Sequence, residues 1–174
     1  MAETNKNVWA PWRMEYILSA KEENEKSGCI FCQRIPQNDD RKNLILYRGT
    51  HVFVIMNKFP YNSGHLMVVP YQHTGDLQTL SAPVLTELLT TLQLCQQVLD
   101  TVMQPHGYNI GMNLGRVAGA GVEDHLHLHI VPRWNGDTNF MPVIANTKVI
   151  SEALEKTYDK LKASFDAHIG SKHP

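Results

Sequence analysis

The stretch "HLHLHIVPRW", residues 125–134, carries a histidine at every second position over its first half. Side chains two positions apart lie on one face of a β-strand, so His125, His127 and His129 are predicted to share a face. The residues that alternate with them are apolar and can pack into a core: Leu126, Leu128 and Ile130. The pattern therefore predicts a strand over 125–132 with one histidine face and one core face.

Three interpretations fit three imidazoles on one face. The rings can be ordinary structural or solvated histidines, they can be ligands of one metal ion, or one of them can be a catalytic group assisted by the other two. Strict alternation above an apolar reverse face disfavours the first interpretation. The strand by itself leaves the metal site and the catalytic site open.

The composition of the chain bounds the remaining possibilities. Its 174 residues are 43% hydrophobic and 19% charged, which is typical of one globular domain with a sizeable core. The net charge of −1 argues against a protein dedicated to nucleic-acid binding, although a local cluster of donors would suffice for a small anionic substrate. No apolar segment reaches the ~18 residues of a membrane-spanning helix and we find no signal core, so we expect a cytoplasmic protein without membrane association.

Short apolar runs predict five strands. Residues 44–47 and 52–56 flank "RGTH" and predict a hairpin. The third, fourth and fifth strands are expected over 64–70, 108–115 and 125–132. The order of the elements predicts an α+β fold with an antiparallel sheet rather than alternating βαβ units.

Helical segments are expected around these strands. Residues 9–25 are predicted to be helical or to lead into a helix. A long helix between the third and fourth strands is expected to begin after Ser81, whose hydroxyl can act as an N-cap, and it carries leucines at helical spacing. The last helix is expected over 148–168, with Gly170 just past its end.

The three cysteines do not form the pattern of a secreted disulfide framework. Cys29 and Cys32 form a CxxC pair, which is typical of a redox pair or of half of a zinc site and also occurs by chance. Because no second CxxC follows, a zinc site would have to take histidines as its other ligands. Cys95 lies within the pattern of the long helix and is predicted to be a buried apolar residue.

The alternating stretch resembles the signature of the histidine triad (HIT) family. The likeness extends to "CIFC" at 29–32, "MNKFPYNSGHLMVVP" at 56–70 and "AGAGVEDHLHLHIVPRW" at 118–134. Together with "WAPWRMEYI" and "NGDTNFMPV", these segments resemble the branch that contains bacterial diadenosine tetraphosphate phosphorylases, which is related to Fhit-like proteins. The resemblance implies a single HIT domain over 1–174, with a core about 28–145 and a five-stranded antiparallel sheet.

The resemblance implies covalent catalysis on a phosphate anhydride. His127 would be the nucleophile, with Nδ1–H donated to a nearby backbone carbonyl and Nε2 directed at the α-phosphate. His129 would bind the phosphate and bridging oxygens and stabilise the charge that develops on them. His65, in "SGHL", would support the pocket from the neighbouring strand.

The resemblance also implies nucleotide-binding residues. Asn57 would bind the ribose hydroxyls, because an amide can donate to one hydroxyl and accept from the other, and Asn113 would contact the phosphates. Better-known members carry Ser or Thr shortly before the first histidine, whereas this chain has a glycine loop, so the N–H groups of Gly119, Ala120 and Gly121 would bind phosphate instead. The apolar side chains expected to line a slot for the base are Ile30, Phe31 and Phe53.

The family likeness interprets the CxxC pair as part of a structural zinc site. Its ligands would be Cys29, Cys32, His73 in "VPYQH" and His125, a closed set of two thiolates and two imidazoles. Zinc would then hold the catalytic strand in place without taking part in the chemistry. Mg²⁺ bound with the polyphosphate substrate is a further expected cofactor, and a homodimer is the expected assembly.

The implied activity is cleavage of a dinucleoside polyphosphate at the α-phosphate, with transfer of the nucleotidyl group through His127. The branch resemblance favours phosphate as the acceptor, which would make the protein a phosphorylase, whereas water would make it a hydrolase. A phosphoramidase, a nucleotide-binding module without turnover and a catalytic metal centre of the three histidines remain as alternatives. Arg133 is interpreted as a surface charge rather than as a contact to the distal phosphates.

Overall fold

A computed structural model describes residues 28–138 and 152–170. The strands are β1 (Ile45–Arg48), β2 (Val52–Met56), β3 (Leu66–Pro70), β4 (Gly107–Met112) and β5 (Leu128–Arg133). The α-helices are α1 (Ile30–Arg34), α2 (Asp40–Asn43), α3 (Ala82–Met103) and α4 (Leu154–Gly170). The helical segment predicted at 9–25 lies outside the described residues.

The five strands form one sheet in the order β1-β2-β3-β5-β4, and each neighbouring pair is antiparallel. The predicted α+β class with a five-stranded antiparallel sheet is therefore confirmed, as is the long helix, α3, between the third and fourth strands. Because β5 pairs with β3 on one side and with β4 on the other, it lies in the interior of the sheet and carries His129 there.

The sheet separates two apolar clusters. The larger cluster packs the sheet against α3 and α4, and its Leu99 and Phe165 have no exposed surface. The smaller cluster, on the opposite face, includes Phe31 and Phe53. Successive side chains of β2 point to opposite faces of the sheet, so Val54 belongs to the larger cluster and Phe53 to the smaller one.

Arg48, at the end of β1, holds the segment that follows the cysteine pair. Its guanidinium donates to the backbone carbonyl of Ile35 at 2.8 Å and to that of Gln37 at 3.2 Å, and it also donates to the carboxylate of Asp40 at 2.7 Å. Planar guanidinium donors fix several acceptors at once. The short helix α1, which carries Cys32, is thereby tied to the edge of the sheet.

The fifth strand begins at Leu128, so the prediction of a strand from residue 125 placed its start too early. The ladder pairs Val68 with Leu128, and the same register would next bring Leu126 opposite Pro70. Proline has no N–H to donate, which ends the ladder. The N–H of Leu126 donates instead to the carbonyl of Thr74, at 2.8 Å.

The alternation of faces nevertheless continues through the residues before the strand. Leu126, Leu128 and Ile130 all belong to the larger cluster, as the sequence predicted. Extended backbone is enough to alternate side chains, whether or not a ladder of hydrogen bonds accompanies it. The prediction of a core face was therefore confirmed even where the strand boundary was wrong.

Other boundaries differ by a few residues. The fourth strand ends at Met112 rather than at 115. The last helix runs over Leu154–Gly170 among the described residues, whereas residues 148–151, where its start was predicted, lie outside them. Gly170 is the last residue of α4 and not the first one past it. Ser81 occupies the N-cap position of α3 but makes no side-chain cap hydrogen bond within the described residues. Pro83, in the first turn, has no N–H to donate to the hydroxyl.

None of the helices in the described part of the chain is both long enough and apolar enough to cross a membrane.

We expect Gly64→Ala to destabilise the fold. Gly64 has a φ of +73°, and a Cβ there would lie 2.5 Å from Sδ of Met103 and 3.1 Å from Cδ2 of Leu99. Backbone strain and overpacking against α3 together predict a loss of about 1–3 kcal/mol in the free energy of unfolding. Urea denaturation measures this loss, with Gly107→Ala as the control because no atom lies within 4 Å of a Cβ at Gly107. Equal stability of the two variants would contradict the prediction.

Candidate active site and metal centre

The three histidines lie on one side of the sheet, although only His129 belongs to β5. Their exposed fractions are 0% for His125, 5% for His127 and 9% for His129. The rings of His127 and His129 are nearly perpendicular, with centroids 4.8 Å apart. Because buried polar groups almost always have hydrogen-bond partners, the partners of each ring reveal which nitrogen carries its proton.

His127 is oriented by the backbone. Its Nδ1 lies 2.8 Å from the carbonyl oxygen of His125, which can only accept, so the proton is on Nδ1 and the lone pair is on Nε2. Burial lowers the pKa of His127, while the hydrogen bond to the carbonyl acts in the opposite direction. The expected bond to a backbone carbonyl is thus present, and the ring has the tautomer that a nucleophilic Nε2 requires.

A chain of donors connects the loop before β3 to His129. The backbone N–H of Tyr61 donates to Nδ1 of His65 at 3.1 Å, so the proton of a neutral His65 is on Nε2. Nε2 of His65 lies 2.9 Å from Nδ1 of His129 and donates to it. A neutral His129 then has its own proton on Nε2. An N–H donor of this kind is suited to a phosphate oxygen that gains charge.

Asn57 lies beside His65. Its Oδ1 accepts the backbone N–H of Phe59 at 3.0 Å, and its Nδ2 donates to Nδ1 of His65 at 3.4 Å. The backbone N–H of Asn57 also donates to the carbonyl of His65, at 3.0 Å. The structure therefore brings this predicted residue next to the histidines, and its contact with ribose stays a prediction.

Asn113 is the first residue past β4. The last pair of the β4–β5 ladder joins Met112 to Leu128, so Asn113 and His127 are the next residues along the two strands. The side-chain Nδ2 of Asn113 donates to the carbonyl of Gly119 at 3.5 Å. This contact ties the end of β4 to the glycine loop that precedes the histidines.

The glycine loop is folded on itself. Gly115 and Gly119 have φ values of +79° and +92°, which favour glycine, and they bracket a single 3-10 turn. The N–H of Gly119 donates to the carbonyl of Arg116 at 2.9 Å, and that of Ala120 donates to the carbonyl of Gly115 at 3.4 Å. Phosphate binding by these two predicted donors would require those bonds to open.

The two predicted base-slot phenylalanines occupy different depths. The ring of Phe31 lies 5.2 Å from that of His125 and 5.4 Å from that of His127. Phe53 has no exposed surface, meets Phe31 edge-on at 6.5 Å and stacks on Tyr71 at 5.4 Å. Phe31 is therefore next to the histidines, while Phe53 lies one layer behind it. Ile30 packs against the same cluster.

Cys29, Cys32, His73 and His125 converge, and one ligand atom from each lies within 4.8 Å of the others. Nδ1 of His125 lies 3.2 Å from Sγ of Cys29 and 3.2 Å from Nδ1 of His73. Sγ of Cys32 lies 3.4 Å from Nδ1 of His73 and 3.6 Å from Nδ1 of His125. The four side chains come from three separate segments, so a metal ion bound here would connect α1, the chain after β3 and the histidine stretch.

The donor set fits a tetrahedral metal ion. Nε2–H of His125 donates to the carbonyl of Pro70 at 2.8 Å, which leaves the lone pair on Nδ1, the atom that faces the cluster. Burial lowers the pKa of His125, which favours the neutral ring that a metal requires. Zinc bonds of ~2.0–2.3 Å to nitrogen and sulfur would separate the ligand atoms by roughly 3.3–3.8 Å, close to the four distances of 3.2–3.6 Å given above.

The cluster contains only the first histidine of the stretch. His127 and His129 do not belong to it, which argues against one catalytic metal ion held by all three rings.

Cys95, the third cysteine, is fully buried in the larger apolar cluster, as predicted, and burial raises the pKa of its thiol.

Several partners in the site were missed by sequence reasoning. The carbonyl of Pro70 and the N–H of Tyr61 are backbone groups, which leave no mark in residue type. Asn62 is buried and donates to the carbonyl of Pro132 at 3.0 Å and to the carboxylate of Asp137 at 2.9 Å. The sequence offered one signal for this contact. Asn62 is an amide between two apolar strands, and a buried polar side chain needs a hydrogen-bond partner.

Comparison with known proteins places the chain in a family. A sequence profile described as the HIT domain matches residues 38–136, and the chain belongs to the HIT family. It is 40% identical over 154 residues to the AP-4-A phosphorylase of Mycobacterium tuberculosis, which covers 86% of this chain and 79% of the relative. It is 33% identical over 121 residues to the asymmetrical bis(5'-nucleosyl)-tetraphosphatase of Schizosaccharomyces pombe, covering 70% of this chain and 63% of that protein.

Solved structures agree with the fold. A Zn-bound histidine triad family protein from Mycobacterium smegmatis has a TM-score of 0.65 at 26% identity, with 83% of this chain and 97% of that chain covered. A hypothetical histidine triad nucleotide-binding protein from Sulfolobus tokodaii has a TM-score of 0.63 at 27% identity, with 82% and 93% covered. The resemblance to the HIT family inferred from the histidine stretch is thus confirmed.

Proposed function

We propose that this protein is an enzyme that cleaves dinucleoside polyphosphates, such as diadenosine tetraphosphate, through a covalent nucleotidyl-His127 intermediate. The observation that carries the proposal is the bond between Nδ1–H of His127 and the carbonyl of His125, which leaves Nε2 with its lone pair. The names of two relatives, a phosphorylase of AP-4-A and a bis(5'-nucleosyl)-tetraphosphatase, support the substrate class.

In the first step, Nε2 of His127 attacks the α-phosphorus, and the bond from that phosphorus to the bridging oxygen breaks. The new P–N bond makes the ring an imidazolium, which still carries its proton on Nδ1. A hydrogen bond from a charged donor is stronger than one from a neutral donor, so the carbonyl of His125 stabilises this intermediate. From diadenosine tetraphosphate the leaving group is adenosine triphosphate.

His129, held by His65, would stabilise the leaving oxygen through its N–H. In the second step, an oxygen of the acceptor attacks phosphorus, the P–N bond breaks and neutral His127 is restored. Phosphate as acceptor gives adenosine diphosphate, and water gives adenosine monophosphate. We favour phosphate because the relative with 40% identity is named a phosphorylase.

Further parts of the proposal rest on the sequence. Asn57 would bind ribose and Asn113 phosphate. The N–H groups of Gly119, Ala120 and Gly121 would supply backbone donors once the turn bonds of the first two open. Phe31 would line the base slot, with Phe53 packed behind it. Mg²⁺ would accompany the polyphosphate. We also propose that residues 1–174 form a single domain and that the protein is cytoplasmic.

We further propose that Cys29, Cys32, His73 and His125 hold a structural zinc ion. The distances among their ligand atoms support it, as does a zinc-bound structural relative. When bound, zinc would contribute folding free energy and rigidity rather than chemistry. It would hold His125, whose carbonyl orients His127.

Replacement of the proposed nucleophile tests the mechanism. We expect His127→Ala to lower turnover by about 10⁴-fold or more, with nucleotide binding still measurable, because affinity is spread over base, ribose and phosphate contacts. Product formation by chromatography and binding by calorimetry measure the two effects. His168→Ala is the matched control, since Nδ1 of His168 also lies 2.8 Å from a backbone carbonyl but in α4. Turnover of His127→Ala within about tenfold of wild type would exclude covalent catalysis by this residue.

The choice of acceptor has its own test. With diadenosine tetraphosphate as substrate, we expect millimolar phosphate to change the partner product from adenosine monophosphate to adenosine diphosphate. Water is present at ~55 M, so a bound phosphate must gain through orientation, which can amount to about 10⁵ M of effective concentration or more. Sulfate in place of phosphate serves as the control. Adenosine monophosphate as the sole partner product at saturating phosphate would make the protein a hydrolase.

Metal analysis tests the zinc proposal. We expect one zinc ion per chain, retained in His127→Ala and Cys95→Ala and lost in Cys29→Ala. Chelation should lower the melting temperature, because binding of a structural ion contributes to the free energy of folding. Purified protein without metal, and with readily titrated Cys29 and Cys32 thiols, would refute the site.

We propose that the protein forms a homodimer through the edge of β4. This strand ends the sheet, and Ile110 on it is 48% exposed. An edge strand with exposed apolar side chains is suited to pairing with a second copy. Sedimentation should show a dimer for wild type and a monomer for Ile110→Glu, whereas Leu77→Glu, which alters another exposed apolar residue, should stay dimeric. A monomeric wild type at tens of micromolar would refute the dimer.

A further inference from the structure

Asp137 places a buried carboxylate in the turn that follows β5. Its side chain is only 7% exposed. Oδ2 accepts from Nε of Arg133 at 2.6 Å, from Nδ2 of Asn62 at 2.9 Å and from the backbone N–H of Trp134 at 3.2 Å. Oδ1 accepts from the guanidinium of Arg133 at 3.0 Å. Charged acceptors form stronger hydrogen bonds than neutral ones, so this carboxylate is a firm anchor for all three residues.

The turn itself is held from two other sides. The guanidinium of Arg133 donates to Oδ1 of Asn109, on β4, at 2.7 Å. Nε1 of Trp134 donates to the carbonyl of Met103, at the end of α3, at 3.3 Å. The backbone N–H of Asn135 donates to Nδ1 of His106 at 2.9 Å. The carboxylate therefore has a fixed position relative to the sheet and to α3.

Asn62 transmits that position to the loop before β3. Its Nδ2 bonds both the carbonyl of Pro132, at 3.0 Å, and Asp137. Its own carbonyl accepts the backbone N–H of His65 at 3.2 Å. Tyr61, the residue before Asn62, donates its N–H to the ring of His65. A shift of Asn62 would thus move both the backbone and the ring partner of His65 at once.

We infer that Asp137 is a positioning residue for His65 and, through it, for His129. It acts by holding Asn62. A carboxylate suits this place because Asn62, Arg133 and the N–H of Trp134 all donate to its two oxygens. An amide would turn its NH₂ group toward one of those donors. The kinetic consequence of this inference rests on the proposed function, whereas its structural consequence does not.

The variant Asp137→Asn tests the inference by two measurements. With diadenosine tetraphosphate and phosphate, we expect kcat to fall about 10–100-fold while KM changes less than about threefold, because a misplaced His129 weakens the transition state more than the ground state. The control is Asp159→Asn, which removes the charge of an exposed carboxylate on α4 that pairs with Arg41. A purely stabilising role would lower the melting temperature of Asp137→Asn and leave kcat unchanged.

The second measurement needs no turnover. In ¹⁵N-histidine-labelled protein, the proton on Nε2 of His65, hydrogen-bonded to His129, should give a resolved ring signal. We expect this signal to shift or broaden in Asp137→Asn and to remain in Asp159→Asn. Wild-type protein that cleaves no dinucleoside polyphosphate would refute the proposed function, and the ring signal would still decide the positioning role.

Asn62→Ala removes the other partner of the Asn62–Asp137 hydrogen bond, and it replaces Asp137→Asn as the test variant if Asp137→Asn does not fold. Because both substitutions break one connection, their effects on kcat should not add in the double variant. An unchanged His65 ring signal together with wild-type kcat, in whichever of the two variants folds, would overturn the inference. Changes in both readings, absent from Asp159→Asn, would support it.

Discussion

The carbonyl of His125 accepts the Nδ1 proton of His127, and the chemistry of the site depends on where that carbonyl lies. Its position is set by the ring of the same residue. That ring donates to the carbonyl of Pro70 and faces the sulfur atoms of Cys29 and Cys32. The cysteine–histidine cluster and the candidate nucleophile are therefore connected through one residue. A metal ion in the cluster would influence reactivity by geometry alone, at a distance from the reacting atoms.

The sequence predicted what depends on periodicity and on residue type. Alternation placed Leu126 and Leu128 on the core face and the histidines opposite, and that held even where the ladder of hydrogen bonds had not begun. The grouping of Cys29 and Cys32 with two histidines came from family resemblance and from the chemistry of soft and imidazole ligands. Such features survive small errors in boundaries, because a two-residue period does not depend on where the strand starts.

What the sequence could not predict depends on backbone groups and on long-range contacts. The early start assigned to the fifth strand overlooked that Pro70, on the neighbouring strand, cannot donate to the ladder. The backbone N–H of Tyr61 sets the tautomer of His65. Every residue type except proline has such an N–H, so the identity of residue 61 does not indicate this role. The contact between Asn62 and Asp137 joins positions 75 residues apart, and no local pattern indicates it.

The two faces of the sheet differ in how stability and chemistry are related. On the helix side, apolar residues such as Leu99 and Phe165 contribute burial without touching the site. On the other side, the buried histidine rings contribute to the stability of the fold only while their hydrogen-bond partners are present. Loss of His65 would remove the acceptor of the Tyr61 N–H and the donor to Nδ1 of His129, and one such hydrogen bond contributes about 0.5–1.5 kcal/mol to stability. Substitutions on the histidine face should therefore change stability and reactivity together, whereas those on the helix face can change stability alone.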